Sequence, residues 1–195
     1  NRRTAIFRYF KTHALEFPGD SEELEEIDQY IGNADRTSWF VNLLLLCKMK
    51  SLELISKDEH FGIWRAGMEA TIHFLRESKA FLERVNEDIA GNPLEERVKW
   101  GLDLLNNKAF ARLLEDTTQP LSFGQMFSVD RLLRSVWLKP LQELLGLFCE
   151  IDLYIVVGRV AREYDFCFAE AMKEGEVSIE IKGLHHPCIR KAVAN

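Results

Sequence analysis

Apolar positions recur every three or four residues along most of the chain, the period of helices packed by one face. The spacing predicts a first helix over about Thr4 to Phe17, with Ile6, Phe10 and Leu15 as its contacts and Pro18-Gly19 as its stop. Asp20 then caps a second helix, with Glu23 as capping-box partner and Leu24, Ile27 and Ile31 as the apolar stripe, ending at Gly32-Asn33. A third helix, about Thr37 to Ile55, is apolar nearly all round in its first half and is expected between other helices. From His60 to Ile89, Phe61, Met68, Leu75, Leu82 and Ile89 recur at heptad spacing, with Trp64 and Val85 at the intermediate position. One uninterrupted helix of roughly 40 Å follows from that pattern at 1.5 Å per residue.

Gly91-Asn92-Pro93 breaks the run. Asn92 as cap, Pro93 at the first helical position and Glu95 predict a further helix to about Glu115, buried through Leu94, Val98, Leu102, Leu105 and Leu113. After a turn at Thr117 to Pro120 and the Ser122-Phe123-Gly124 sequence, helix resumes near Ser128 and is expected to kink at Pro140. Leu141, Leu144, Phe148, Ile151 and Ile155 form a second seam, running to about Tyr164. The two seams are expected to pack antiparallel. Only at Val177 does the period change: Val177, Ile179 and Ile181 alternate with Ser178, Glu180 and Lys182, as in a half-buried strand.

The fold class is therefore mainly α, a multi-helix core with two long antiparallel helices over 1–175, followed by a short strand and loop over 176–195. The chain begins at Asn1 without an initiator Met and the strand comes close to Asn195, consistent with a piece of a longer polypeptide. With 195 residues it can bury roughly 70% of its unfolded surface. The composition, 47% hydrophobic and 29% charged, is that of a globular protein. A net charge of -6 argues against a surface that wraps nucleic acid without sequence preference. Cys47, Cys149, Cys167 and Cys188 are widely separated and fit buried free thiols in a reducing compartment. The longest apolar run, Val41 to Cys47, is too short to cross a bilayer, so no membrane span is expected, although an anchor upstream of Asn1 stays open.

The residues Ile179, Ile181, His186 and Pro187, in the form I-x-I-x-x-x-x-H-P and followed by Ala194-Asn195, resemble the MutS family of DNA mismatch repair ATPases. The similarity is to the junction where the helical core passes into the ATPase domain. The long helices and the aromatic turn of Tyr164, Phe166 and Phe168 look like the family's lever helices returning to that base. The resemblance implies that 1–175 is a core and lever region and 176–195 the start of an ATPase domain. It implies DNA as a partner, ATP and Mg as cofactors, an intracellular, cytoplasmic location and a homodimer held through the ATPase domain, all for the parent protein. No G-x-x-x-x-G-K-[ST] sequence occurs in the chain, so this piece is expected to be no enzyme, without cofactor and with weak or no DNA binding of its own. Two departures stand out: Ala192 and Val193 occupy the place of an adenine-stacking aromatic, and 90–124 reads as helix and turn where many members carry a β-rich clamp. In the family mismatch reading belongs to a separate N-terminal domain that these residues do not include, so the resemblance is also compatible with a short MutS-like paralogue.

Ile179, Ile181, His186, Pro187 and Asn195 are thus the junction residues, and Phe61, Met68, Leu75, Leu144, Phe148 and Ile151 the stiff spine. Arg2, Arg3, Arg8, Arg131 and Arg134 are candidate DNA contacts, set against solvation or pairing with acidic helices. His185-His186 lacks the remaining ligands of a metal site, and His13, His60 and His73 have no nucleophile at recognisable spacing. Glu22, Glu23, Glu25 and Glu26 read as a solvated helix start, favoured by the helix dipole. The alternative function is a non-enzymatic helical scaffold or adaptor for protein partners.

Overall fold

The computed structural model describes residues 2–32, 44, 47, 48, 50, 51, 60–114 and 121–169. Within them the chain is mainly α, with helices α1 (Arg2–Thr12), α2 (Ser21–Gly32), α3 (His60–Asp88), α4 (Glu95–Leu105), α5 (Lys108–Leu114), α6 (Phe123–Arg131) and α7 (Leu138–Glu163). A single π turn, Leu132–Val136, joins α6 to α7. The strand expected at Val177 to Ile181 lies outside the described residues, as does most of the helix expected over Thr37 to Ile55. From that helix, Leu44, Cys47, Lys48, Lys50 and Ser51 are helical, and the Lys50 ammonium sits 4.5 Å from the centre of the Phe61 ring.

Two long helices are present, of 29 and 26 residues, which makes α3 about 43 Å long. Their seams are buried as the spacing predicts. Phe61, Met68, Leu75, Leu82, Ile89, Trp64 and Val85 all fall in the core, as do Leu141, Leu144, Phe148, Ile151 and Ile155. The seams do not, however, lie against one another along their length. α3 takes α2 and α4 as its main neighbours, and α7 takes α1. The long helices meet locally, where Phe74 and Phe81 stand 5.3 and 6.0 Å from the Phe148 ring. α4 is wedged beside that contact: a Cβ on Gly101 would lie 2.9 Å from Leu82, 3.4 Å from Leu144 and 3.5 Å from Leu147. Seam spacing shows which face is buried, but the neighbour that buries it depends on contacts distant in sequence.

Several boundaries differ from those the sequence predicts, each for a local reason. α1 stops at Thr12 instead of Phe17, because the Thr12 hydroxyl donates to the Tyr9 carbonyl at 2.9 Å and the His13 ring sits 2.9 Å from the same oxygen. Such side chains compete with the helical ladder. Asp20 does cap α2, accepting from the Glu23 N–H at 2.9 Å. The Glu23 carboxylate makes no reciprocal bond and instead meets His73 of α3 at 2.7 Å. Beyond α3, the Gly91 N–H donates to the Glu95 carboxylate at 2.6 Å and the Leu94 N–H to the Asn92 side chain at 3.0 Å, so α4 begins at Glu95, one turn after the predicted cap.

The helix expected to continue to Glu115 is two helices. Asn107 accepts from the Ala109 N–H at 3.1 Å and starts α5. α6 begins at Phe123 and not near Ser128, held by a capping box between Ser122 and Gln125. Regular α-helix is interrupted not at Pro140 but at the π turn and Trp137, whose N–H donates to the Leu132 carbonyl five residues back at 2.8 Å. Pro140 sits in the first turn of α7, where a helix leaves N–H groups unpaired in any case. Cys47, Cys149 and Cys167 are free thiols, as expected, but exposed rather than buried.

Candidate functional site

The most organised polar site is built on Asp130, the one buried acid among the described residues, at 3% exposure. Met126, Asp130 and Leu133 succeed one another at helical spacing on the core-facing side, so the carboxylate occupies a position the pattern assigns to a hydrophobe. Its Oδ1 accepts from the Tyr30 hydroxyl of α2 at 2.9 Å, the Trp64 indole N–H of α3 at 2.9 Å and the Arg134 guanidinium of the π turn at 3.3 Å. The Arg134 guanidinium also lies 5.2 Å from the centre of the Tyr30 ring.

Backbone proximity makes this convergence possible. A Cβ on Gly67 of α3 would approach the Tyr30 Cβ to 2.6 Å and the Glu26 carbonyl to 3.1 Å, so α2 and α3 cross here as closely as their backbones permit. Burial, followed by the negative charge of Asp130 and the bond to it, holds the Tyr30 hydroxyl well above the ordinary phenol value of 10.0; the Arg134 charge opposes this only in part. Tyr30 is therefore a neutral donor and the Asp130 carboxylate oxygen its acceptor. Three donors converging on one carboxylate oxygen tie α2, α3, α6 and the π turn together. The arrangement holds elements together.

A second set of ties fixes the far end of α7. Lys11 of α1 donates to Asp165 at 3.1 Å and to the Phe166 carbonyl at 2.9 Å, while Arg162 donates to the Lys11 carbonyl at 3.2 Å. Phe7 stacks on Phe168 at 5.3 Å and meets Tyr154 edge-on at 5.6 Å. The two helices touch at Gly158, where a Cβ would come within 2.4 Å of the Phe10 carbonyl oxygen. The aromatic turn expected at Tyr164, Phe166 and Phe168 thus seats the end of α7 on α1. Arg97 and Glu150 pair between α4 and α7.

The spine residues Phe61, Met68, Leu75, Leu144, Phe148 and Ile151 are all in the core. The junction residues Ile179, Ile181, His186, Pro187 and Asn195 lie outside the described residues. Of the candidate DNA contacts, Arg2, Arg3, Arg8 and Arg131 are exposed, and Arg2 donates to the Pro93 carbonyl at 3.1 Å. Arg134 is turned inward to Asp130, which removes it from the surface set. His73 pairs with Glu23, and His13 stacks on Tyr9 with ring centres 4.2 Å apart. Among the described residues no group of His, Cys, Asp and Glu could hold a metal ion, and no helix is long and apolar enough to cross a membrane. The sequence pattern does not single out Asp130 or Tyr30, and it marks Trp64 only as a seam position. The one signal it carries for them is a lone acid at a core-facing helical position with an arginine four residues on. Comparison with family models, with curated proteins and with solved structures gives no match.

Proposed function

We propose that the chain is the helical core and lever region of a MutS-like DNA mismatch repair ATPase, coupling ATP binding in a downstream domain to engagement of DNA or a protein partner. The observation that carries this reading is the pair of long helices buried along their seams, α3 tied to Asp130 through Trp64 near its start and α7 tied to α1 at its end. A stiff helix buried along one face and tied to its neighbours moves as a body, which is what transmission of a domain movement needs. The resemblance of Ile179, Ile181, His186 and Pro187 to the start of the family's ATPase domain supplies the direction of coupling. On this reading the residues 1–175 contain no catalytic group, and ATP and Mg belong to sequence beyond Asn195.

The test is to express the chain together with the sequence that follows Asn195 in its gene and to measure binding of a fluorescent ATP analogue, then hydrolysis with and without duplex DNA. Mg-dependent nucleotide binding with DNA-responsive hydrolysis is expected. A continuation without a Gly-Lys-Ser/Thr phosphate loop and without nucleotide binding would overturn the reading. It would leave a helical scaffold for protein partners, a reading favoured by Leu153 and Tyr164 of the α7 region, 56% and 55% exposed.

A further inference from the structure

α7 carries two apolar seams. The first, Leu144, Phe148, Ile151 and Ile155, faces the core. The second runs through Gly146, Cys149, Leu153, Val156 and Val160 at alternating steps of three and four, the spacing of a coiled-coil seam. At about 100° per residue it lies on the opposite side of the helix. Cys149 is exposed, Leu153 is 56% and Val160 37% exposed, Val156 is half-buried, and nothing lies within 4 Å of where a Gly146 Cβ would stand. Helices that are apolar on both faces are ordinarily covered on both.

The charges beside the outer seam select the occupant. Asp152 and Arg159 flank it on one side, seven residues apart, both exposed, with no ion-pair partner among the described residues. We propose that this face pairs with α7 of a second copy of the chain, antiparallel, about a two-fold axis passing between Leu153 and Val156. In that register Leu153 packs against Val156 of the partner subunit and Cys149 against Val160 of the partner subunit. Asp152 then faces Arg159 of the partner subunit, and the two-fold axis repeats the pair in the opposite sense. A parallel arrangement would place Asp152 opposite Val157 of the partner subunit and leave both charges unmatched. The surface is self-complementary only in the antiparallel register, which is the property of an isologous interface. Nothing in this pairing depends on nucleotide or DNA, so it stands or falls separately from the proposed function.

The test uses the 195-residue chain itself. Sedimentation equilibrium is expected to give a concentration-dependent dimer of about 45 kDa, twice the 22.6 kDa chain. D152R and R159D are each expected to weaken the dimer about tenfold by setting like charges face to face, and the double variant D152R/R159D to restore it. Both positions are exposed, so unchanged circular dichroism is expected for all three. In a C47S/C167S/C188S background, V160C is expected to form a disulfide-linked dimer with Cys149 of the partner subunit under mild oxidation, because positions 149 and 160 of one chain are three turns apart and cannot join. A monomer throughout the micromolar range overturns the proposal. So does a dimer indifferent to both charge reversals, or one in which the V160C thiol fails to link to Cys149.

Discussion

Asp130 concentrates more consequence than any other single residue, because its carboxylate is buried and shared by three donors, one of them the Arg134 guanidinium. Truncating one partner of a buried charged network leaves the others desolvated and unpaired. D130A is therefore expected to lower unfolding stability by about 3–5 kcal/mol, read as a shift of the urea midpoint with little change in slope. Y30F removes one donor and should cost about 1–2 kcal/mol at neutral pH. Its signature lies in alkali. The Tyr30 phenol is raised in the folded state, so its contribution is complete below the ordinary value of 10.0 and is lost as pH rises past it. Wild type should lose stability with rising pH above that point more steeply than Y30F, and parallel alkaline profiles would contradict the assignment. Gly158 is the second critical residue. G158A would drive a methyl into the Phe10 carbonyl, and about 1–3 kcal/mol of destabilisation is expected, with α1 loosened first in hydrogen exchange. In the sequence, the Asp130–Arg134 half of the hub is visible as a spacing of four. Tyr30 and Trp64 are not, since they lie 100 and 66 residues from Asp130 and only the fold joins them.

At the scale of elements, heptad positions are the most readable feature, because burial of a face depends on period alone. The seam of α3 from Phe61 to Ile89 and that of α7 from Leu141 to Ile155 are buried position by position. Element ends are less readable. Asn106-Asn107 interrupts a leucine pattern that continues across it, and the Ser122–Gln125 capping box is obscured by Gly124 in the first turn of α6. S122A is expected to cost about 1 kcal/mol, the usual worth of a helix cap, with amides of the first turn of α6 exchanging faster. The π turn is unreadable, since it depends on one extra residue being accommodated where Trp137 bonds back to Leu132. Amide exchange should show a protection minimum across Leu132 to Trp137 between two better protected helices; uniform protection from Phe123 to Glu163 would contradict a distinct joint.

For the whole molecule, the mainly α class follows from sequence and is present in the described residues, whereas the long helices meet only locally, at Phe74, Phe81 and Phe148, and take α2 and α4 on one side and α1 on the other as their main neighbours. Their neighbours are illegible in the sequence because a seam carries no address. The MutS-like reading rests on Ile179 to Pro187, outside the described residues, and on two long helices buried along their seams, one tied near its start and the other at its end. That reading separates the arginines by role. In the protein extended beyond Asn195, R3A/R8A should weaken DNA binding and lower its salt slope by about 2, one for each phosphate no longer neutralised. R134A should instead lower stability and leave the slope unchanged, and equal effects on the slope would refute the division.

The central claim is that α3 and α7 move as coupled stiff bodies in response to nucleotide. The most direct measurement is the distance between spin labels at Glu87 of α3 and Glu163 of α7, in the extended protein with native cysteines replaced and the labelled chain diluted with unlabelled chain. The account predicts one narrow distance without nucleotide, a second narrow distance with a non-hydrolysable ATP analogue and Mg, and a broad distribution in D130A. A single distance unaffected by bound nucleotide, or a broad distribution in the wild type, would contradict it.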